Sequence, residues 1–144
     1  MNVWKQWLFV IVAMSFLSVA LAKPSIEGNW ISNDDKTGKP RAVLKLSVID
    51  GTLSGKIERV FSQPGDVGTC SNCPGEFKDK QILGMQIVWG LKEIKPGAWG
   101  EGHILDAKSG KIYRVKMTVK KNKLYVRGFY GVALLGRTQV WDRE

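Results

Sequence analysis

Short stretches in which apolar and polar residues alternate, each ended by a turn signal, place the strongest limit on how residues 23–144 can fold. In residues 112–119, for example, Tyr113, Val115 and Met117 fall on one side of an extended chain, and Arg114 and Lys116 fall on the other. A period of two is typical of a β-strand with one buried and one solvated face. No segment of this region has a convincing helical period. The region is therefore predicted to be all-β.

Turn chemistry divides the region into eight strands. Asp50-Gly51 is a strong hairpin signal, because a type I′ turn needs positive φ at both central residues. The predicted strands are residues 27–32, 41–49, 52–61, 83–93, 98–105, 112–119, 123–130 and 137–143. Eight antiparallel strands in sequence order can remove their exposed edges by closing into an up-and-down barrel. We therefore predict an all-β, eight-stranded antiparallel up-and-down barrel, whose bore is either filled by side chains or holds a small ligand.

The first 22 residues have the pattern of a secretory signal peptide. Lys5 precedes the uncharged apolar run 7–19, and Ala20-Leu21-Ala22 places small residues where signal peptidase requires them. The run is shorter than the roughly 20 apolar residues that a membrane-spanning helix takes. We expect cleavage after Ala22, a periplasmic or extracellular location, and a single domain over residues 23–144; the alternative is an uncleaved membrane anchor.

Basic residues outnumber acidic ones, with 22 Lys and Arg against 13 Asp and Glu and a formal net charge of +9. They are spread along the chain, and only residues 120–123 form a cluster of three lysines. A positive surface can attract nucleic acid, anionic lipid or acidic ligands. Because the protein is expected to be exported, we predict no nucleic-acid partner and only a weak attraction to anionic envelope lipids. The sequence does not indicate an oligomeric state.

Cys70 and Cys73 are the two cysteines of the chain, and they lie in a loop rich in Gly, Pro and Lys. A Cys-x-x-Cys pair can be a structural disulfide, a redox couple or half of a metal site. A metal site would need further ligands, which the sequence does not supply. A redox couple would need a helix N-terminus to lower the pKa of one thiol, and the loop has no helical pattern. In an oxidising compartment two neighbouring thiols form a disulfide. We predict a structural disulfide that shapes the loop over residues 62–81, with redox activity as the alternative, and no metal or cofactor.

The motif Gly28-Asn29-Trp30 at the first strand resembles the G-x-W motif of the lipocalins and their calycin relatives. The resemblance implies that Trp30 closes one end of a barrel and that Arg143 from the last strand packs across it. Such a contact combines a cation–π interaction with the covering of apolar surface.

A second resemblance covers nearly all of residues 23–144. Its motifs, in order, are G-N-W, T-G-K-P, D-G-x-x-x-G-K-I, C-x-x-C-P-G-E, I-L-G, G-x-I-L-D-A-K-S-G-K-I-Y-R and G-R-T-Q-V-W-D-R. They resemble a family of small exported bacterial proteins known as domain of unknown function 2147. The resemblance implies a lipocalin-like barrel and export, and it implies no established activity.

The apolar strand faces are the remaining candidate site. The residues expected to point into the barrel are Leu44, Leu46, Ile57, Met85, Ile87, Trp89, Val115, Met117 and Val126. Arg59 shares the parity of Ile57 and is the best polar candidate for the bore, unless a bulge at Gly55 reverses that parity. If space remains inside the barrel, the expected ligand is small and apolar or amphiphilic.

No catalytic constellation is visible in the sequence. The motif G-x-S-x-G is missing, His103 is the single histidine, and most carboxylates lie in predicted turns. We therefore expect a non-enzymatic, exported domain that binds a small ligand in its barrel. The alternatives are a structural or protein-interaction module of the cell envelope with a filled barrel, and a redox protein that uses its two cysteines.

Overall fold

The computed structural model describes residues 22–144, so the predicted signal peptide, apart from its last residue, lies outside the described part. The described chain forms eight strands: β1 (Gly28–Asn33), β2 (Pro40–Ile49), β3 (Thr52–Val60), β4 (Gln86–Lys95), β5 (Ala98–Asp106), β6 (Lys111–Lys120), β7 (Lys123–Phe129) and β8 (Arg137–Arg143). Two short 3-10 helices, Gly75–Phe77 and Ala133–Leu135, lie in loops. No helix among residues 22–144 is long and apolar enough to cross a membrane.

The strands pair in sequence order, each antiparallel to the next, and β8 pairs with β1 to close the barrel. This confirms the predicted eight-stranded up-and-down barrel. The seam between β1 and β8 is short, with Trp30 opposite Arg143 and Ile31 opposite Asp142. The β6–β7 hairpin is longer and pairs regularly from Arg114 opposite Phe129 to Lys120 opposite Lys123.

The tight turns have the geometry that their residues favour. Asp50 and Gly51 have φ of 49° and 72°, and Lys121 and Asn122 have φ of 47° and 61°. Positive φ at both central positions is the type I′ arrangement, whose twist matches that of the flanking strands. These two turns therefore fix the registers of the β2–β3 and β6–β7 hairpins.

The main difference from the predicted strands is at the start of β4, which begins at Gln86 and not at residue 83. Gly84 has a φ of 82°, and the Met85 amide donates to the carbonyl oxygen of Ile82. This turn interrupts the apolar alternation of residues 82–87. The connection between β3 and β4 therefore extends over residues 61–85 and includes an isolated bridge between Thr69 and Gln81.

One end of the barrel is closed by Trp30, which is fully buried. The Cζ atom of Arg143 lies 4.0 Å from the centroid of the Trp30 ring, and the Trp30 indole N–H donates to the Ile26 carbonyl oxygen at 2.8 Å. The Arg143 guanidinium also donates to the carbonyl oxygens of Ser25 and Glu27. Gly28 leaves room for this, because a Cβ there would lie 3.1 Å from Nη1 of Arg143.

Side chains fill the closed half of the barrel. The fully buried residues of this half include Leu46, Leu53, Leu91, Met117 and Leu124. In an up-and-down barrel, alternate connections lie at the same end. The β1–β2, β3–β4, β5–β6 and β7–β8 connections therefore surround the other end, which is the mouth.

Candidate functional site

A half-open cavity of about 1140 Å³ extends from the loops at the mouth into the adjacent half of the barrel. Its apolar wall consists of Leu44, Ile57, Ile87, Val126 and Trp141, all of them buried. These residues come from five different strands, because alternation brings one residue of each strand to the same level of the barrel. The cavity lies beyond the packed closed half and opens among the four connections at the mouth.

A ladder of polar side chains runs along β8 on the same wall. The Trp141 indole N–H donates to Oε1 of Gln139 at 2.9 Å, and Nε2 of Gln139 donates to Oδ2 of Asp35 at 3.0 Å. Arg137 also pairs with Oδ2 of Asp35, at 2.6 Å. Arg137, Gln139 and Trp141 are two residues apart, so β8 presents all three to one face. The polarity of this wall increases from the buried indole to the exposed guanidinium.

Two tyrosines stand at another side of the mouth. The rings of Tyr113 and Tyr130 lie with their centroids 4.6 Å apart, and both residues border the cavity. Partial desolvation, together with the neighbouring Tyr113, raises the pKa of Tyr130. The Tyr130 phenol is therefore neutral at physiological pH and can donate a hydrogen bond.

Ion pairs connect the loops around the mouth. Asp34 in the β1–β2 loop lies 3.9 Å from Lys108 in the β5–β6 turn, so this pair links opposite sides of the barrel. In the β3–β4 loop, Asp66 pairs with Arg41 at 3.1 Å. The Gln63 backbone N–H and the Arg41 guanidinium hold the pKa of Asp66 below its ordinary value. Hydrogen bonds from the backbone N–H groups of Thr37 and Lys36 do the same for Asp34.

The cysteine loop packs against the β5–β6 turn. Cys70 and Cys73 lie at disulfide-bonding distance, with their Cα atoms 5.3 Å apart, and both side chains are buried. Sγ of Cys70 lies 3.4 Å from the Ala107 carbonyl oxygen. Gly110, at a φ of 74°, allows the closest approach, because a Cβ there would come within 1.8 Å of the Asn72 carbonyl oxygen. The pair therefore holds one side of the mouth in shape.

The predicted interior residues divide between cavity and core. Leu44, Ile57, Ile87 and Val126 line the cavity. Leu46, Val115 and Met117 point into the barrel but are buried in the packed core and do not border the cavity. The sequence pattern identifies which face is apolar, but it carries no signal for the depth at which packing stops.

Met85 and Trp89 border a second groove, although Met85 is also buried as part of the hydrophobic core. This groove, of about 750 Å³, is also lined by Phe77 and Leu83, and Leu83 lines the barrel cavity as well. Trp89 stacks on Phe77 and on His103, with ring centroids 5.7 and 5.8 Å away. The reason is a register shift in β4: Gln86 pairs with Lys56 and Val88 with Gly55, so Ile87 is an extra residue, Ile87 and Val88 both face inward, and Trp89 turns outward.

Arg59 also departs from the prediction. A register shift after Val43 pairs Leu44 with Ile57 and Val43 with Arg59, so Glu58 is an extra residue in β3. Leu44 faces inward, and Arg59 therefore lies on the outer face with Val43. Its guanidinium pairs with Glu144 and lies 5.2 Å from the centroid of the Phe61 ring. Arg59 is nevertheless among the residues that line the cavity.

Gln139, Trp141, Asp35 and Tyr113 are the site residues that the sequence analysis did not single out. The alternation of β8 places Arg137, Gln139 and Trp141 on the inner face, and this signal was available in the sequence. The contribution of Asp35 could not be predicted from the sequence, because it depends on how the β1–β2 loop folds back over the mouth. Among residues 22–144, no group of three or more His, Cys, Asp or Glu side chains is placed to hold a metal ion.

The closed eight-stranded barrel, its Trp–Arg closure and its one-sided cavity define a lipocalin-like protein. The fold matches that of a protein from the human pathogen Helicobacter pylori that is described as belonging to the lipocalin family. The TM-score is 0.73, the sequence identity is 15%, and 83% of each chain is covered, so the likeness concerns the fold alone.

Residues 28–143 match the family model described as "uncharacterized protein conserved in bacteria", DUF2147. The chain therefore belongs to this family, which confirms the resemblance seen in its motifs. No protein with a curated description matches the chain.

Proposed function

We propose that this protein is an exported, non-enzymatic carrier or sensor that holds one small amphiphilic molecule in its barrel. The observation that carries the proposal is the cavity of about 1140 Å³, which is apolar at its deep end and polar at its mouth. Ligand pockets for small molecules are usually about 300–1,000 Å³, mostly apolar, with a few polar groups that fix orientation. A cavity at this scale holds a single acyl chain or a compact ring system.

The polar ladder sets the orientation of such a ligand. Asp35 already accepts from Gln139 and Arg137, so its charge is balanced within the protein. The Arg137 guanidinium keeps further N–H donors, and its side chain is 73% exposed at the mouth. The hydroxyl groups of Tyr113 and Tyr130 are additional donors. The expected head group therefore accepts hydrogen bonds, as a carboxylate does, while the apolar tail lies against Leu44, Ile57 and Val126.

Export is part of the same proposal, supported by the sequence of residues 1–22. The periplasmic protein is expected to begin at Lys23, which intact-mass measurement tests directly. A membrane fraction that contains the full 144-residue mass would contradict it.

Binding is tested with a fluorescent fatty-acid analogue. Val126→Trp fills the cavity and is expected to weaken binding by at least about tenfold, or about 1.4 kcal/mol. Val140→Trp is the matched control, because Val140 lies on the outer face of β8 and is 40% exposed. Native mass spectrometry of protein purified from its own envelope identifies a co-purifying ligand. If the wild type binds no apolar probe and carries no ligand, the carrier proposal fails.

A further inference from the structure

The loop between β7 and β8 exposes three aliphatic side chains close together. Val132, Leu134 and Leu135, called here the apolar tip, are 60%, 86% and 79% exposed. Single exposed apolar residues are common on protein surfaces, but a contiguous group marks an interaction site for a protein or a membrane. The tight turns Asp50-Gly51 and Lys121-Asn122, at the opposite end of the barrel, are polar. The apolar tip is therefore not part of the barrel core, and its exposure indicates an interaction site.

The apolar tip stands at the mouth of the cavity. Leu135 and the following residues Gly136 and Arg137 border the cavity directly. Tyr130, at the base of the same loop, is 57% exposed, and its ring packs at a tilt against Tyr113 at the rim. Whatever the apolar tip contacts therefore also lies against the entrance of the barrel.

Positive charge surrounds the apolar tip. Lys36 and Lys39 in the β1–β2 loop and Lys111 at the start of β6 lie at the same end of the barrel and are exposed. Within residues 22–144, none of these three lysines forms an ion pair, whereas Asp34, Asp35 and Asp66 at this end are all paired with cations. The charges of these three aspartates are thus balanced, and the three lysines, with one unpaired Asp106 beside Lys111 among the described residues, leave the surroundings of the apolar tip positive.

We propose that the apolar tip and these lysines form a docking surface for an anionic lipid bilayer, with the cavity mouth turned toward the lipid. Protein interfaces are depleted in Lys, whereas this surface has three exposed lysines around its aliphatic centre. Aliphatic side chains that enter the acyl boundary, with Lys side chains at the headgroups, are the usual combination for interfacial binding. This proposal does not depend on the barrel binding a ligand.

The test is co-sedimentation of residues 23–144 with vesicles of phosphatidylglycerol and phosphatidylcholine. The double variant Val132→Ser/Leu134→Ser leaves the net charge and the cavity lining unchanged. It is expected to bind vesicles at least about tenfold more weakly, because each side chain loses its burial in the acyl region. Ile49→Ser is the matched control: Ile49 is 66% exposed at the closed end of the barrel, and its loss should leave vesicle binding unchanged.

The contribution of charge to vesicle binding is tested separately. Replacing phosphatidylglycerol by phosphatidylcholine, or Lys36, Lys39 and Lys111 by Gln, is expected to reduce binding severalfold, and added salt should do the same. Fatty-acid analogue binding without vesicles should be the same in Val132→Ser/Leu134→Ser and wild type, so failure of docking is distinguishable from failure of the carrier proposal. The docking proposal is overturned if the wild type does not bind vesicles, or if only Ile49→Ser reduces binding.

Discussion

Met117 shows that facing the barrel interior and lining the cavity are different properties. It lies opposite Trp99 on β5 and Val126 on β7 and is fully buried in the closed half, where no space remains. Met117→Trp should therefore destabilise the protein by about 1–3 kcal/mol through overpacking, whether or not a ligand binds. Urea unfolding measures this. Wild-type stability in this variant would mean that the cavity extends into the closed half.

Gln139 connects the deep and outer parts of the polar ladder. Its side chain accepts from the indole N–H of Trp141, which is only 2% exposed although it lines the cavity. Gln139→Leu leaves that donor unpaired and should lower the free energy of unfolding by about 1–3 kcal/mol.

Trp141→Phe provides the control for this effect. Phe has no N–H group to satisfy, so Gln139→Leu should cost less in the Trp141→Phe background. A double-mutant cycle measures the coupling. Additive effects would show that the hydrogen bond does not stabilise the fold.

At the scale of elements, the β3–β4 loop is held over the mouth by Asp66. The pKa of this carboxyl group is lowered by the Gln63 N–H and by Arg41, so its ionised form stabilises the folded state. That stabilisation is present above the unfolded pKa of about 3.9 and is lost as the pH falls through the lower, folded pKa. Asp66→Asn should therefore be less stable than wild type at pH 7, and the difference should shrink toward pH 3. A difference that does not change with pH would assign the effect to packing.

The cysteine pair acts on the same loop. Cys70 and Cys73 close a ring of only a few residues, which restricts little chain entropy, so Cys70→Ser/Cys73→Ser should lower stability modestly and keep the fold. Native protein should resist alkylation until a reductant is added. Reduction of insulin by the wild type, lost in the double variant, would favour the redox alternative.

Strands and tight turns were predictable because each depends on local chemistry: alternation defines the strand faces, and Asp50-Gly51 defines a hairpin. The bulges were not predictable, since the position of an extra residue in β3 or β4 depends on the pairing with the neighbouring strand. The extra residues Glu58 in β3 and Ile87 in β4 reversed the expected orientations of Arg59 and Trp89. The cavity depends on the summed volume of side chains from all strands, so the sequence indicated an apolar interior without its unfilled half.

At the scale of the whole molecule, closure depends on the seam between β1 and β8. Two residue pairs join these strands, whereas seven join β6 and β7. Arg143 supports the seam from the closed end by covering Trp30 and by donating to the carbonyl oxygens of Ser25 and Glu27. If the seam separated, β1 and β8 would become free edges with unpaired backbone groups. The seam is therefore the expected site of the lowest-energy opening of the barrel.

Native-state hydrogen exchange tests this for the whole barrel, because local openings release amides at a free energy below that of global unfolding. In the wild type, seam amides of β1 and β8 should exchange faster than those of the β6–β7 hairpin. Arg143→Met should widen that gap, because the long apolar side chain can still cover Trp30 but donates no hydrogen bonds. Arg114→Met is the matched control, since Arg114 lies over Phe129 on the outer face of β6, 5.6 Å from the ring centroid, away from the seam. Equal acceleration of all strands by Arg143→Met would show instead that the barrel opens as one cooperative unit.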